Sequence, residues 1–174
     1  LYRVDRILKD SWYKKCLAQN AALEEQRRFC RHDLQHMLDV ARIAYMLVLE
    51  GLSNGEAAAA GEGAVKTITG KEVVYAAGLL HDMARWKEYE TGEDHAVAGS
   101  LMAGSVLERA GYDAAEKEII ITAIREHRSG GREASPLGQY LCKADDLSRP
   151  CNRCDARSDC HKIHRMATAN HLLY

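Results

Sequence analysis

The chain has 174 residues, with 24 basic and 25 acidic side chains for a formal charge of -1, and it carries six cysteines, eight histidines, 13 glycines and two prolines. One domain is expected at this length, large enough to bury roughly 70% of its unfolded surface without staples. The balanced charge excludes a broad field for long nucleic acid or an anionic membrane, no apolar run reaches the ~20 residues of a bilayer span, and residues 1–30 are too charged for a secretory leader. A cytoplasmic protein with reduced thiols is the expectation, and alanine and leucine with so few prolines favour helices throughout.

Over residues 1–28, Val4, Ile7, Leu8, Trp12, Cys16, Leu17 and Leu23 recur at helical spacing, with a break expected near Asp10-Ser11. A packing element is the simplest reading, with Trp12 and Tyr13 as alternative pocket walls. From His32 to Glu50, the face His36, Val40, Ile43 and Leu47 predicts a strong helix closed by Gly51. That face turns His36 inward, and His32 one turn earlier has the i, i+4 spacing that lets two imidazoles face one ion. An inward histidine is also commonly a core residue bonded to a carbonyl, so spacing alone leaves both roles open. Residues 54–63, rich in alanine and glycine, suggest a short weak helix or a mobile loop.

Residues 71–85 predict another helix, with Val74, Ala77, Gly78 and His81 on one stripe and room beside Gly78 for a second backbone. Successive side chains stand about 100° apart on a helix, so His81 and Asp82 can converge on one ion. The charged, glycine-punctuated stretch 86–94 is expected to cross the surface near that end, with a lid as one role open to it. Asp94 suits the cap of a helix over 95–110, with His95, Ala98, Gly99, Met102 and Val106 on one face and Gly111 after it. A further helix from Asp113 or Ala114 carries Ile120, Ala123 and Ile124 on towards His127. After a flexible turn at 128–135, Pro136 opens a helix whose face Leu137, Leu141, Ala144 ends at Asp145, and a last helix from about Arg157 is expected to cover the core.

Inward histidines and carboxylates on separate helices have the pattern of a metal site in a bundle core. In order they are His36 followed by Met-Leu-Asp-Val-Ala; Leu-Leu-His81-Asp82-Met-Ala-Arg; His95-Ala-Val-Ala-Gly; Ala-Ile-Arg-Glu-His127; and Lys-Ala-Asp145-Asp-Leu-Ser-Arg. Over about residues 29–149 this series resembles the HD-domain metal-dependent phosphohydrolases. The resemblance implies an all-α, HD-type helical bundle with its metal site in the core, one domain over 1–174, and a cysteine-rich extension at 150–174 packed on it. It implies that His36, His81, Asp82 and Asp145 ligate a divalent metal. His95 and His127 match the positions of members with a second ion, a subset that includes bacterial diadenosine tetraphosphate hydrolases. Two departures stand out: Arg85 replaces the lysine of many members, and His32-Asp33 offers extra ligands, with His32 an additional candidate. Asp146 is a rival to Asp145.

Imidazole and carboxylate ligands suit iron, manganese, zinc, nickel or cobalt, as one ion or two. The implied activity is hydrolysis of a phosphate ester or anhydride, in a nucleotide or another small phosphorylated molecule, by metal-bound hydroxide formed near neutral pH. Asp82 would orient that hydroxide, and Arg85 or Arg128 would offset phosphoryl charge, with Lys143 and Lys87 as weaker candidates. Near-zero net charge argues against long RNA, and the chain lacks the His-Asp-Gly-Tyr-Pro string of relatives that cleave cyclic di-GMP. The competing reading is a non-catalytic HD module that binds nucleotide or senses metal or redox state through its C-terminal cysteines, and the sequence leaves the oligomeric state open, a homodimer among the options.

Cys151-x2-Cys154-x5-Cys160 has ligands for a structural zinc or an iron-sulfur cluster, since a C-x2-C pair can clasp one ion. Cys142, His161 and His164 are the candidates for a fourth ligand. The alternative is reduced thiols in a polar tail, as also expected of the scattered Cys16 and Cys30.

Overall fold

The computed structural model describes residues 1–54, 70–171 and 174, and every regular element among them is helical. Asp10 divides the N-terminal apolar pattern into α1 (Tyr2–Lys9) and α2 (Ser11–Leu23). Its backbone is extended, and its carboxylate accepts hydrogen bonds from the amides of Trp12 and Tyr13 at 2.9 and 3.0 Å, pairing donors that a helix start leaves free. Asp33 caps α3 (Leu34–Ser53) in the same way, 2.9 Å from the His36 amide. That role explains the second His-Asp pair: its aspartate opens a helix instead of facing the histidines. Gly51 does not close α3 as expected. It is buried inside the helix, where a side chain would meet the Tyr140 ring at 3.0 Å, and the helix runs on to Ser53. The stretch expected at 54–63 lies, beyond Asn54, outside the described residues.

The centre of the bundle is α4 (Lys71–Leu80), whose Val73, Val74, Ala76, Ala77, Gly78, Leu79 and Leu80 are all buried. A helix that is apolar on every side has to be enclosed. It packs against α1, α3, α6 (His95–Ala110), α7 (Ala114–Glu126) and α8 (Pro136–Leu147). Asp94 caps α6, Gly111 closes it in the left-handed conformation at φ 94°, a capping box of Asp113 and Glu116 opens α7, and Ser135 caps α8 ahead of Pro136.

Two further expectations are refined. Residues 86–94 do cross the surface beside His81 and Asp82, but largely as a helix: Arg85–Thr91 form α5, ended by Gly92 at φ 75°, and Glu88 and Tyr89 turn towards neighbouring helices. The tail forms no α-helix from Arg157. It winds through 3-10 turns at Cys151–Arg153, Arg157–Asp159, Ile163–Arg165 and Ala167–Ala169, because its less polar side chains recur every third residue and offer no stripe of period 3.6. Among the described residues, no helix is long and apolar enough to cross a membrane.

Candidate metal centre

Beyond Leu80 the chain turns sharply, and His81, Asp82 and Met83 are buried in that turn. Side chains of α2 hold it in place. The Tyr13 hydroxyl donates to the Leu79 carbonyl at 2.9 Å, and Asn20 donates to the Asp82 carbonyl at 3.0 Å while accepting from the Trp86 amide at 2.8 Å. Backbone groups left unpaired where α4 gives way to α5 thus find partners inside the protein. Tyr13 therefore supports the turn from behind.

Five imidazoles surround the Asp82 carboxylate, and each has its Nδ1 engaged. His81 donates to the Gly78 carbonyl at 2.7 Å, His127 to the Ile124 carbonyl at 2.7 Å and His36 to Ser148 Oγ at 3.2 Å, while His95 bonds to Glu88 and His32 to Glu24. An acceptor at Nδ1 turns Nε2 towards the site, while Arg85 also reaches His95 Nδ1 at 2.6 Å and Arg149 reaches His36 Nε2 at 2.8 Å. Around Asp82 Oδ2 stand Nε2 of His81 at 3.2 Å, His32 at 3.6 Å and His36 at 3.8 Å. Around Oδ1 stand Nε2 of His95 at 2.9 Å and His127 at 3.6 Å. Asp145, near the end of α8, brings Oδ1 to 3.3 Å from His36 Nε2 and 3.9 Å from His81 Nε2.

Donor atoms of His36, His81, Asp82 and Asp145 lie within 4.8 Å of one another, as do those of Asp82, His95 and His127. Ligands about 2.1 Å from one ion stand roughly 3 to 4.2 Å apart, and the separations of 3.2 to 3.9 Å in the first group and 2.9 to 3.6 Å in the second match that range. The buried Nε2 of His81 and Oδ1 of Asp82 have no hydrogen-bond partner. Lone pairs that converge without a proton between them are costly, and a cation relieves that cost. Both clusters could hold a divalent ion. Burial by itself would raise the Asp82 carboxyl, but the surrounding imidazoles, His81 and His32 foremost, hold it far below the usual range. Burial likewise lowers the pKa of His36, yet the Asp145 and Asp82 carboxylates outweigh it and raise the imidazole.

A family model described as HD domain matches residues 33–149. The chain belongs to the HD domain family. An uncharacterized protein of Clostridium beijerinckii is 33% identical over 159 residues, covering 91% of each chain. The bifunctional uridylyltransferase/uridylyl-removing enzyme of Nitrobacter winogradskyi is 37% identical over 81 residues, which is 45% of this chain but only 8% of that protein. No solved structure matches the chain.

The HD-domain cluster floors a cleft of about 310 Å³, with Arg27, Arg85, Arg128, Arg149, Lys162 and Arg165 in its walls. Of the cations expected near substrate, Arg85 and Arg128 line this cleft. Arg85 bonds to Glu88 at 2.8 Å and Tyr89 at 3.2 Å, and Arg128 to Asp94 at 2.6 Å. Lys143 is exposed and outside the cleft lining, and Lys87 pairs with Glu93 at 2.9 Å, also outside it. Asp146 looks towards Arg165, at 3.9 Å, and leaves the place beside the histidines to Asp145. His32 lines the cleft but belongs to neither four-ångström-scale group. Cys142 packs on Gly130 and faces Asp145, Asp146 and Arg165, while His164 lines a separate groove.

Several residues at the site escaped the sequence reading. Arg149 places Nη2 2.8 Å from His36 Nε2 and 3.2 Å from Asp145 Oδ1. It follows Asp145 by one helical turn, a spacing that signals contact. Glu24 and Tyr89 gave no such signal: Tyr89 donates to Glu24 at 2.6 Å, and this carboxylate, brought down to about 2 against its burial, also accepts from the His32 amide at 2.6 Å.

Proposed function

We propose that this HD domain is a metal-dependent phosphohydrolase acting on a nucleotide or another small phosphorylated molecule. The observation that carries the reading is the cleft floor, where Asp82 offers one oxygen to each of two clusters of inward-facing Nε2 atoms beneath a rim of arginines. His36, His81, Asp82 and Asp145 would hold one ion, and Asp82, His95 and His127 a second. Such an ion supplies Lewis acidity, bringing the pKa of a water towards ~7 and offsetting charge on a phosphoryl oxygen.

The side chains of the domain supply the rest. Arg85, Arg128 and Arg149 offer charge-assisted donors to phosphoryl oxygens, and because they are fixed by Glu88, Asp94 and Asp145 they need little reorganisation as charge builds up. His32 is kept below its usual range, chiefly by burial and only partly offset by Asp82 and Glu24, so its Nε2 is free to take a proton from the attacking water. Glu24 holds the other face of that ring, and Tyr89 holds Glu24. A cleft of about 310 Å³ suits a small ligand. The relative named as uridylyl-removing adds weight to a nucleotide among the substrates.

The test is turnover by metal-loaded protein on a panel of phosphomonoesters, phosphodiesters, nucleotides and dinucleoside polyphosphates, beside His81→Ala and Asp82→Ala. At least one substrate is expected to be hydrolysed, with metal content lost and rate down at least ~100-fold in both variants. Unchanged metal and rate in the variants would reject the site. Tight nucleotide binding without turnover would identify a non-catalytic binding module instead.

A further inference from the structure

A second cluster of soft ligands lies outside the metal centre. Cys30, Cys151, Cys154 and Cys160 line one cleft of about 480 Å³. Three of them come from the tail, where the winding explains the sequence spacing. Amides donate to carbonyls three residues back at Cys154 to Cys151, Arg157 to Cys154, Cys160 to Arg157 and Ile163 to Cys160, at 3.4, 3.1, 3.3 and 3.1 Å. In a helix with three residues per turn, side chains at i and i+3 eclipse one another. The winding is broken into separate turns by extended residues at Cys154 and Cys160, yet Cys151, Cys154 and Cys160 all line the cleft with Arg157 and Ile163 of the same series.

The fourth thiol comes from the other end of the chain. Cys30 lies between α2 and α3, its carbonyl held by Arg27 Nε at 2.9 Å. Two contacts bring its neighbourhood to the tail: Arg28 pairs with Asp159 at 2.5 Å, and Arg149 donates to the Arg31 carbonyl at 2.9 Å.

We propose that Cys30, Cys151, Cys154 and Cys160 are the four protein ligands of an iron-sulfur cluster seated between the HD core and its C-terminal tail. Two observations favour a cluster over a lone zinc ion. Thiolates around one zinc stand ~3.8 Å apart, whereas among the described residues no three of these sulfurs lie within 4.8 Å of one another. That wider spacing suits cysteines bound to separate irons. In addition, Arg28, Arg31, Arg149, Arg153 and Arg157 line the cleft and offset the negative charge that four thiolates and their cluster carry. The cluster would clasp the two chain segments that deliver His32 and Arg149 to the neighbouring cleft, since Cys30 precedes His32 by two residues and Cys151 follows Arg149 by two.

The site is independent of the proposed hydrolase activity and is tested without it. The full chain would be purified or reconstituted without oxygen and analysed for iron, acid-labile sulfide, zinc and visible absorption, with circular dichroism to confirm helicity. Sulfide separates a cluster from iron held by the histidines. Sulfide and a visible chromophore are expected in the parent chain and in Cys142→Ser, and at least a tenfold loss of both in folded Cys30→Ser and Cys151→Ser. Zinc without sulfide, neither metal nor chromophore, or a full complement of sulfide in Cys30→Ser would each overturn the proposal. If Cys30→Ser does not fold, retention of sulfide in Cys154→Ser serves as the overturning result.

Discussion

Gly78 of α4 lies against the backbone of Ala41 in α3, so close that a methyl group on it would stand 2.7 Å from both the amide nitrogen and Cβ of Ala41. This approach sets the distance between the helix that carries His36 and the one that leads to His81. Backbone cannot give way as a flexible side chain can, so the two helices would have to part. Gly78→Ala is expected to lower unfolding free energy by about 3 kcal/mol in urea titrations. It is also expected to weaken metal binding at least tenfold by calorimetry; full stability with full affinity would show that the contact yields.

Asp82 offers separate oxygens to the two clusters, so its loss should weaken both. Asp82→Asn retains the size of the side chain but removes its charge and one acceptor. Metal content is expected to fall to near zero in both clusters, whereas His127→Ala should spare the group of His36, His81, Asp82 and Asp145. Elemental analysis of the two variants decides; one ion retained in Asp82→Asn would show that the carboxylate is not shared.

Glu24 sits at the far side of His32 and makes no approach to the clustered donors. Replacing it by glutamine exchanges a charged acceptor for a neutral one, which weakens its hold on the ring and permits the other tautomer. Outer partners of this kind commonly contribute 10- to 100-fold to affinity or activity. Glu24→Gln is expected to lower kcat roughly tenfold or more with metal content unchanged, and Tyr89→Phe to do the same more weakly. Parent rates in both would remove His32 from proton transfer.

The legible parts of the molecule were those with a period or a cap. Apolar stripes of period 3.6 placed α3, α4, α6, α7 and α8, turned His36 and His95 inward and brought Asp145 beside His36, because the face of a helix is decided locally. Asp94, Asp113 and Pro136 marked helix starts through side chains that pair free amides or lack one. Contacts made across the fold were not legible. Glu24 meets His32 through the path of a segment with no period, and Cys30 reaches the tail cysteines only once α2 and α8 have packed. The tail misled for a physical reason: polar residues near Arg157 suit a helix surface, yet the three-residue recurrence from Cys151 to Ile163 selects tighter winding.

Asp10 joins two roles that acidity should separate. It caps α2, and it accepts from Arg109 Nε at 2.7 Å and Nη2 at 3.1 Å, with Arg109 itself half exposed. The Arg109 guanidinium first, and then, against partial burial, the amides of Tyr13 and Trp12, hold the Asp10 carboxyl below its ordinary value. A carboxylate depressed in the folded state adds stability above its unfolded pKa of ~3.9, and that contribution disappears as pH falls through the lower folded value. Asp10→Asn retains a capping oxygen and loses the charge, so at pH 7 it should cost less than about 1 kcal/mol, as solvent screens an exposed arginine. Asp10→Ala loses the cap as well and should cost about 1 to 2 kcal/mol. On acidification below pH ~3.9 the gap between the parent and Asp10→Asn is expected to close, while Asp10→Ala stays the least stable of the three. Urea unfolding at neutral and acid pH measures both gaps, and an Asn gap that does not narrow would mean that the charge on Asp10 adds nothing to the fold.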